Sequence, residues 1–468
     1  MKYLLCLFSA LLPSLSFAED IDLYIGSTAA RTASKPQVLL IFDNSGSMRN
    51  SVSIKTPYNK NTTYSATNGL TALAGDYVYY VKGDNSVKPI ADEPTENRKF
   101  LLSLNSCKTA RDSLAELGFY TGYVREYTFT GATGSWQELP DSDASNVKIV
   151  ECWDDLRLSE TDNISSDADG NNVVSGFPVD GEGTPSNPQY YTSNTDDSNT
   201  DFGTGTSVTL YSDNYLRWHA NTSLGNVNMS KMDIAKYSVK ALIDSSPTVD
   251  FGLEVFNYNH KNGYRNGGRI VTSLPSASSS TNTTDLKDTI DSLVPTTWTP
   301  LCESVYEAYR YLSGGSVLYG DDDSDHTGTS YDASDHPQQD MSAQTGGSYI
   351  SPYKTCSNEV FIILITDGEP TRDGSANTLV SNLPNITSTF GNSYLGPLAE
   401  WMHFNDINPN MPKKQIATLF TVGFALAPTS TAGKLLIDAA NRGGGEYLDA
   451  QEPTELLPKL QKALSSIL

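Results

Sequence analysis

The side chains best equipped for chemistry lie in one short run, Asp43-Asn44-Ser45-Gly46-Ser47-Met48. One carboxylate and two hydroxyls at alternate positions make a set of hard oxygen donors with little charge. Such a set suits a hard divalent cation. Neutral hydroxyl ligands leave that ion electron-poor and able to accept a carboxylate from a partner. Gly46 allows a sharp turn between the two serines. An isolated Asp-Asn-Ser-Gly-Ser is also ordinary turn composition, so the reading depends on what surrounds it.

The run follows Val38-Leu39-Leu40-Ile41-Phe42, which reads as a strand buried on both faces of a parallel sheet. Ligands of such sheets bind beyond the carboxyl ends of the strands. The strongest buried-strand signal is Val360-Phe361-Ile362-Ile363-Leu364-Ile365, which runs into Thr366-Asp367-Gly368. Ser230 reads as the N-cap of a helix with Asp233 three residues on. Thr299, followed by Pro300, reads as the N-cap of another, with Leu301, Val305, Ala308 and Leu312 on one face. Strands are also expected at 249–256, near 270, at 416–423 and at 445–449. Helices are expected at 285–293, 432–441 and 454–468.

Between these elements lie two polar stretches, about 50–213 and 314–357. The first opens with strand-like pieces at 77–81, 123–129 and 147–150 and a helix at 109–117. Its second part, 155–206, is dominated by Asp, Asn, Ser, Thr and Gly and is expected to be irregular and mobile. Asp167-Ala168-Asp169-Gly170-Asn171 resembles the start of a calcium loop, but Pro178 stands where a bidentate Glu is needed. An Asx-rich turn is the expected reading there. Asp321-Asp322-Asp323-Ser324-Asp325 reads as a solvated acidic loop.

The chain has 468 residues and a formal net charge of -23, from 55 acidic and 32 basic side chains. This balance argues against nucleic acid or anionic lipid as a partner. Lys2, the apolar stretch Leu4 to Leu15 and the small-x-small ending Ser16-Phe17-Ala18 read as a secretory signal. Residues 1–18 are therefore expected to be removed. No later run is long enough to span a bilayer. Cys107, Cys152, Cys302 and Cys356 remain, an even number that suggests two disulfides in an oxidising compartment. Of the three pairings, Cys107–Cys152 and Cys302–Cys356 are expected, each closing one polar stretch.

Hydrolytic chemistry finds little support. No Gly-x-Ser-x-Gly elbow or phosphate-binding Gly-x-x-x-x-Gly-Lys loop occurs. The five histidines fall mostly in polar loops or beside helices, away from a nucleophile. An aspartyl-nucleophile phosphatase would need an acid two residues after Asp43, where Ser45 stands. The protein is expected not to be an enzyme.

The Asp-x-Ser-x-Ser run resembles the metal-ion-dependent adhesion site of von Willebrand factor A domains. That family adds a threonine and a second aspartate from later loops, and Thr299 and Asp367 occur in that order. The resemblance implies a metal site of Asp43, Ser45, Ser47, Thr299 and Asp367. Ser45, Ser47 and Thr299 would touch the ion, while Asp43 and Asp367 would act mostly through bound water. The implied ion is Mg2+ first, with Mn2+ or Ca2+ as alternatives. The implied fold is an α/β, doubly wound, mostly parallel sheet with helices on both faces, spanning 36–468 and interrupted by the two polar stretches.

Further blocks, "YSDNYLRW", "KMDIAKYSVKALIDS", "FGLEVFN", "TPLCESVYEAYRYL" and "FIILITDGEPT", resemble the N-terminal half of PilY-type proteins. These are adhesins and assembly factors of type IV pilus tips. The resemblance implies metal-dependent adhesion and support of pilus biogenesis, by an exported protein that passes the periplasm to the cell surface at the pilus tip. Implied partners are a protein ligand presenting a carboxylate, minor pilins or other tip components, and a host or abiotic surface. The alternative is a structural or load-sensing cap for pilus assembly. Members of that family usually continue into a C-terminal β-propeller. This chain ends with the expected last helix of the A domain, so propeller functions are not carried over.

Overall fold

The computed structural model describes residues 35–467, apart from 67–68, 84–86, 131–132, 140–148, 154–163, 167–171, 175–201, 203–205, 247–248, 258–265, 276–281, 321–337, 355–358 and 453–454. The expected signal segment, the calcium-like run, the acidic run after Gly320, most of 155–206 and Cys356 lie outside the described residues.

Six strands form the sheet that carries the candidate site: β1 Gln37–Phe42, β2 Asp250–Phe256, β3 Gly268–Thr272, β4 Glu359–Thr366, β5 Ile416–Phe424 and β6 Gly444–Ala450. Their order is β3-β2-β1-β4-β5-β6. β1 lies between β2 and β4, with Phe42 level with Val255 and Ile365. All pairings are parallel except β2 with β3, which is antiparallel. β1 is buried along its length because its two faces feed two cores. Val38, Leu40 and Phe42 pack with α3 (Lys231–Asp244), α4 (Thr283–Ser292) and α8 (Leu456–Ile467). Leu39 and Ile41 pack with α5 (Leu301–Ser313), α6 (Leu395–Phe404) and α7 (Thr431–Arg442).

The expected fold class is corrected at the level of the whole chain. Among the described residues this mixed sheet is one of six, and the other five are antiparallel, of two to four strands. The molecule is a multi-sheet α/β assembly, not a doubly wound, mostly parallel von Willebrand factor A-like sheet with irregular insertions. The physical reason lies in the first polar stretch. Strands Lys99–Leu101, Tyr77–Lys82, Val208–Ser212 and Phe119–Gly122 make a four-stranded sheet in that order. Their buried residues, with α1 (Lys108–Leu117), form a separate core around Val78, Tyr80, Phe100 and Tyr120. The opposite face, with Tyr79, Val81, Phe119 and Tyr211, packs into the main core, so alternating strands bury both faces of this sheet.

The stretch leaves and rejoins the main sheet through one ribbon. Ser51–Lys55 pairs antiparallel with Asn226–Ser230, so that Ser51 stands opposite Ser230. The start of α3 is thereby held beside the end of the Asp43–Met48 loop, and the Lys231 N–H donates to the Asn50 carbonyl at 3.0 Å. Between the four-stranded sheet and the ribbon runs α2 (Asp213–Ala220), capped by Ser212, which accepts from the Tyr215 N–H.

Cys107 and Cys152 are bonded, as expected. Cys302 is buried and free among the described residues; Cys356, its expected partner, lies outside them. Cys302 sits in the first turn of α5, inside the core against α6, where its sulfur accepts from the Tyr394 N–H.

Candidate functional site

Asp43 leaves the end of β1 completely buried, and Ser45 and Asp367 are nearly so. The Asp43 carboxylate organises the turn. Oδ1 accepts the Ser45 N–H at 2.7 Å, and Oδ2 accepts the Thr366 hydroxyl at 2.6 Å and the Asp367 N–H at 3.3 Å. One aspartate thus ties the loop after β1 to the loop after β4. Both its oxygens are already engaged, so its part is to hold the loops rather than to reach outward.

Three of the four remaining site residues form a chain. Ser45 Oγ lies 2.9 Å from Ser47 Oγ, and the Ser47 hydroxyl donates to Asp367 Oδ1 at 2.6 Å. The third segment, 296–299, is laid against the serine loop by backbone bonds. Gly46 N–H donates to the Thr297 carbonyl at 3.0 Å, and the Thr296 and Thr297 N–H groups donate to the Asn44 carbonyl at 2.9 and 3.1 Å. Thr299 is buried next in line. Its N–H donates to Thr371 Oγ1, and its carbonyl accepts from the Thr371 N–H, both at 2.9 Å. The five expected residues are therefore supplied by three loops fastened to one another at one end of one sheet.

Thr299 is not the cap expected. The residue at the cap position of α5 is Pro300, without a side-chain cap. The acceptor comes from far along the chain. Asp373 Oδ1 takes the Cys302 N–H at 2.7 Å and the Glu303 N–H at 3.1 Å, which satisfies two orphan donors of the helix start. Arg372, just before it, adopts a left-handed φ of 55°, a conformation that costs a non-glycine residue energy. That turn lets Thr371 face Thr299 while Asp373 faces α5. The Arg372 guanidinium lies over the exposed Trp298 ring, 5.2 Å from its centre.

The electrostatics point to a missing positive charge. Burial, followed by the neighbouring Asp367 charge, pushes the Asp43 carboxyl up to about 6. The cation in contact is Lys231, whose Nζ lies 2.7 Å from Asp367 Oδ2. Two buried carboxylates thus face one ammonium. A hard divalent ion among Ser45, Ser47, Thr299 and Asp367, with Asp43 behind them, would relieve that imbalance, and the donor set fits such an ion. Sequence reasoning missed Lys231, Thr366, Thr371 and Asp373. The last three lay in plain view beside Asp367; Lys231 had no local signal, because the ribbon that delivers it closes a long excursion.

A second metal-like group, Cys107, Glu151 and Cys152, also occurs among the described residues. The two sulfurs are spent on the disulfide, and Glu151 accepts from the Ser106 hydroxyl and the Cys152 N–H. It is a satisfied structural cluster.

A family model described as "Domain of unknown function (DUF8355)" matches residues 77–221. That region covers the four-stranded sheet and α2 and contains none of the five site residues. No curated protein matches. Among solved structures, the chain is similar to proximal thread matrix protein 1 from the mussel byssus, with 15% identity and a TM-score of 0.25. The match covers 50% of this chain and 42% of that one, so the chain spans under half the length of that relative. A score so low bears on neither fold nor function.

Proposed function

We propose that the protein is a metal-dependent binding module, whose divalent cation, Mg2+ first, engages a carboxylate on a partner protein. The observation that carries this reading is the Ser45–Ser47–Asp367 chain of oxygens beside a buried Asp43 that is short of positive charge. Ser45, Ser47 and Thr299 would hold the ion through neutral hydroxyls, and Asp43 and Asp367 would orient the loops and balance its charge. A bound ion would supply a Lewis-acidic position for the incoming carboxylate. Trp298 and Arg372, on the rim beside Thr299, would add an apolar face and a cation for the residues flanking that carboxylate.

The biological setting is part of the same proposal. The sequence blocks that resemble PilY-type proteins support a role at a type IV pilus tip, in surface attachment and pilus biogenesis, reached by export. The alternative role, a cap for pilus assembly without adhesion, uses the same site. No helix among the described residues is long and apolar enough to cross a membrane.

Calorimetry with Mg2+ and Mn2+ on the wild type and Asp43→Ala tests the site, with circular dichroism as the fold control. Loss of a group that orients the ligands should weaken binding about 10–100-fold. An adhesion assay and a pilus-assembly assay, each with and without chelator, separate the two roles. If the wild type binds neither ion, or the variant binds equally well, the metal reading fails.

A further inference from the structure

In a chain of net charge -23, positive charge gathers in a cavity that contains none of the cation-site residues. It has a volume of about 440 Å3 and lies against the four-stranded sheet, the end of α2 and the start of α8. Lys55, Lys88, Lys459 and Lys462 line it, against Glu452 and Glu455. The four lysines are all half-buried, whereas both glutamates are exposed. The balance inside the cavity is therefore positive.

The lysines are not equally committed. Lys462 pairs with Glu446 at 2.6 Å. Lys55 donates to the Trp218 and His219 carbonyls at 2.6 and 2.9 Å and lies over the Trp218 ring; those bonds hold it in place without cancelling its charge. Lys88 lies 5.9 Å from the centre of the Tyr211 ring. Neither Lys88 nor Lys459 has an ion-pair partner among the described residues. Burial lowers the Lys88 pKa; Glu455 opposes that shift and Lys459 adds to it. Glu455 is the stronger of these two influences, yet it is a single exposed carboxylate against two ammonium groups partly withdrawn from water, which leaves positive charge over for a bound anion.

We propose that this cavity binds a small organic oxyanion of sugar size, a sugar acid or a sugar phosphate, held by Lys88 and Lys459 with Lys55 behind them. The volume falls in the range of small-ligand sites. Lysine serves as a point charge for carboxylate or phosphate. The remaining wall offers what a hydroxylated ring needs: hydroxyls from Ser207, Thr121 and Thr209, and aromatic surface from Tyr211 and Trp218. The proposal is independent of the cation site.

The test is calorimetric titration of the full chain in EDTA with glucuronate, glucose 6-phosphate and uncharged glucose. Binding of at least one anion, with glucose silent, is the expected result, and the preferred anion identifies the oxyanion. Lys88→Gln and Lys459→Gln should each weaken binding about tenfold, the loss of one charge-assisted bond, and added salt should weaken it further. Lys88→Arg should retain binding, and so should Lys240→Gln, which removes an amine outside the cavity. The proposal is overturned if neither anion binds, if glucose binds as well as the anions, or if both Gln variants bind like the wild type.

Discussion

Lys231 is the most informative residue to change, because it sits where the charge of the candidate site is balanced. Its ammonium is 2.7 Å from Asp367 Oδ2, with the carboxylate side chain fully buried and the lysine 13% exposed. At that distance and an effective dielectric of about 20, the attraction is about 6 kcal/mol. Much of this is offset by desolvation, so the measurable quantity is the cost of removing one partner, about 3–5 kcal/mol. Lys231→Met keeps the aliphatic stem and removes only the charge. In EDTA, urea unfolding should show the variant less stable by about 3 kcal/mol or more. Mg2+ should then stabilise the variant more than the wild type, since the ion no longer competes with an ammonium for Asp367. An ion at 100 times its dissociation constant contributes about 2.7 kcal/mol, enough to restore most of the loss. A variant within about 0.5 kcal/mol of the wild type in EDTA would refute the charge-balance argument. An equal Mg2+ effect on both proteins would refute the shared place of ammonium and metal.

Three further outcomes are expected. Replacing Cys107 and Cys152 by serine opens a loop of sequence separation 45 and should cost about 4 kcal/mol in denaturant unfolding. Asp373→Ala leaves the Cys302 and Glu303 N–H groups without their acceptor and should lower stability by about 1–2 kcal/mol, with a weakened Mg2+ response because the Thr371–Thr299 contact shares that loop. Glu254 on β2 is fully buried, and neither carboxylate oxygen has a hydrogen-bond partner among the described residues. Burial, then the Glu307 charge, raises its pKa well above 4.5. The folded form therefore holds the proton more tightly than the unfolded one. Its stability is fully present below pH 4.5 and is lost as pH rises through the raised value. Glu254→Gln should flatten that decline, and a Tm profile from pH 4 to 8 identical to that of the wild type would contradict it.

The parts of this molecule that could be read from sequence are those whose signal is local. Val38–Phe42 and Val360–Ile365 announced buried strands because both faces of each are covered, and the structure pairs them. Ser230 was legible as a cap, and its hydroxyl accepts the Asp233 N–H at 3.0 Å. Thr299 looked equally good, yet Asp373 caps α5, because a proline-preceded start leaves its donors open to any acceptor that tertiary structure brings close. The same distinction explains the fold-level correction. Strands at 77–81 and 123–129 were visible, but the pairing of Tyr77–Lys82 with Val208–Ser212, of Val208–Ser212 with Phe119–Gly122 and of Val124–Thr130 with Ile149–Cys152 depends on long-range partners, and a polar composition concealed a core of tyrosines. Tyrosine fills that role because its ring contributes apolar area while its hydroxyl keeps a polar partner: Tyr79 is fully buried and donates no surface to water, yet its hydroxyl accepts the Asp92 N–H at 3.1 Å. Asp92 in turn holds Arg217 in a two-bonded ion pair at 2.7 and 2.8 Å. Through that pair the first polar stretch is locked onto α2, and α2 leads directly into the ribbon that sets Lys231 against Asp367. The charge at the candidate site thus depends on a domain that looked, from its composition, like a passenger.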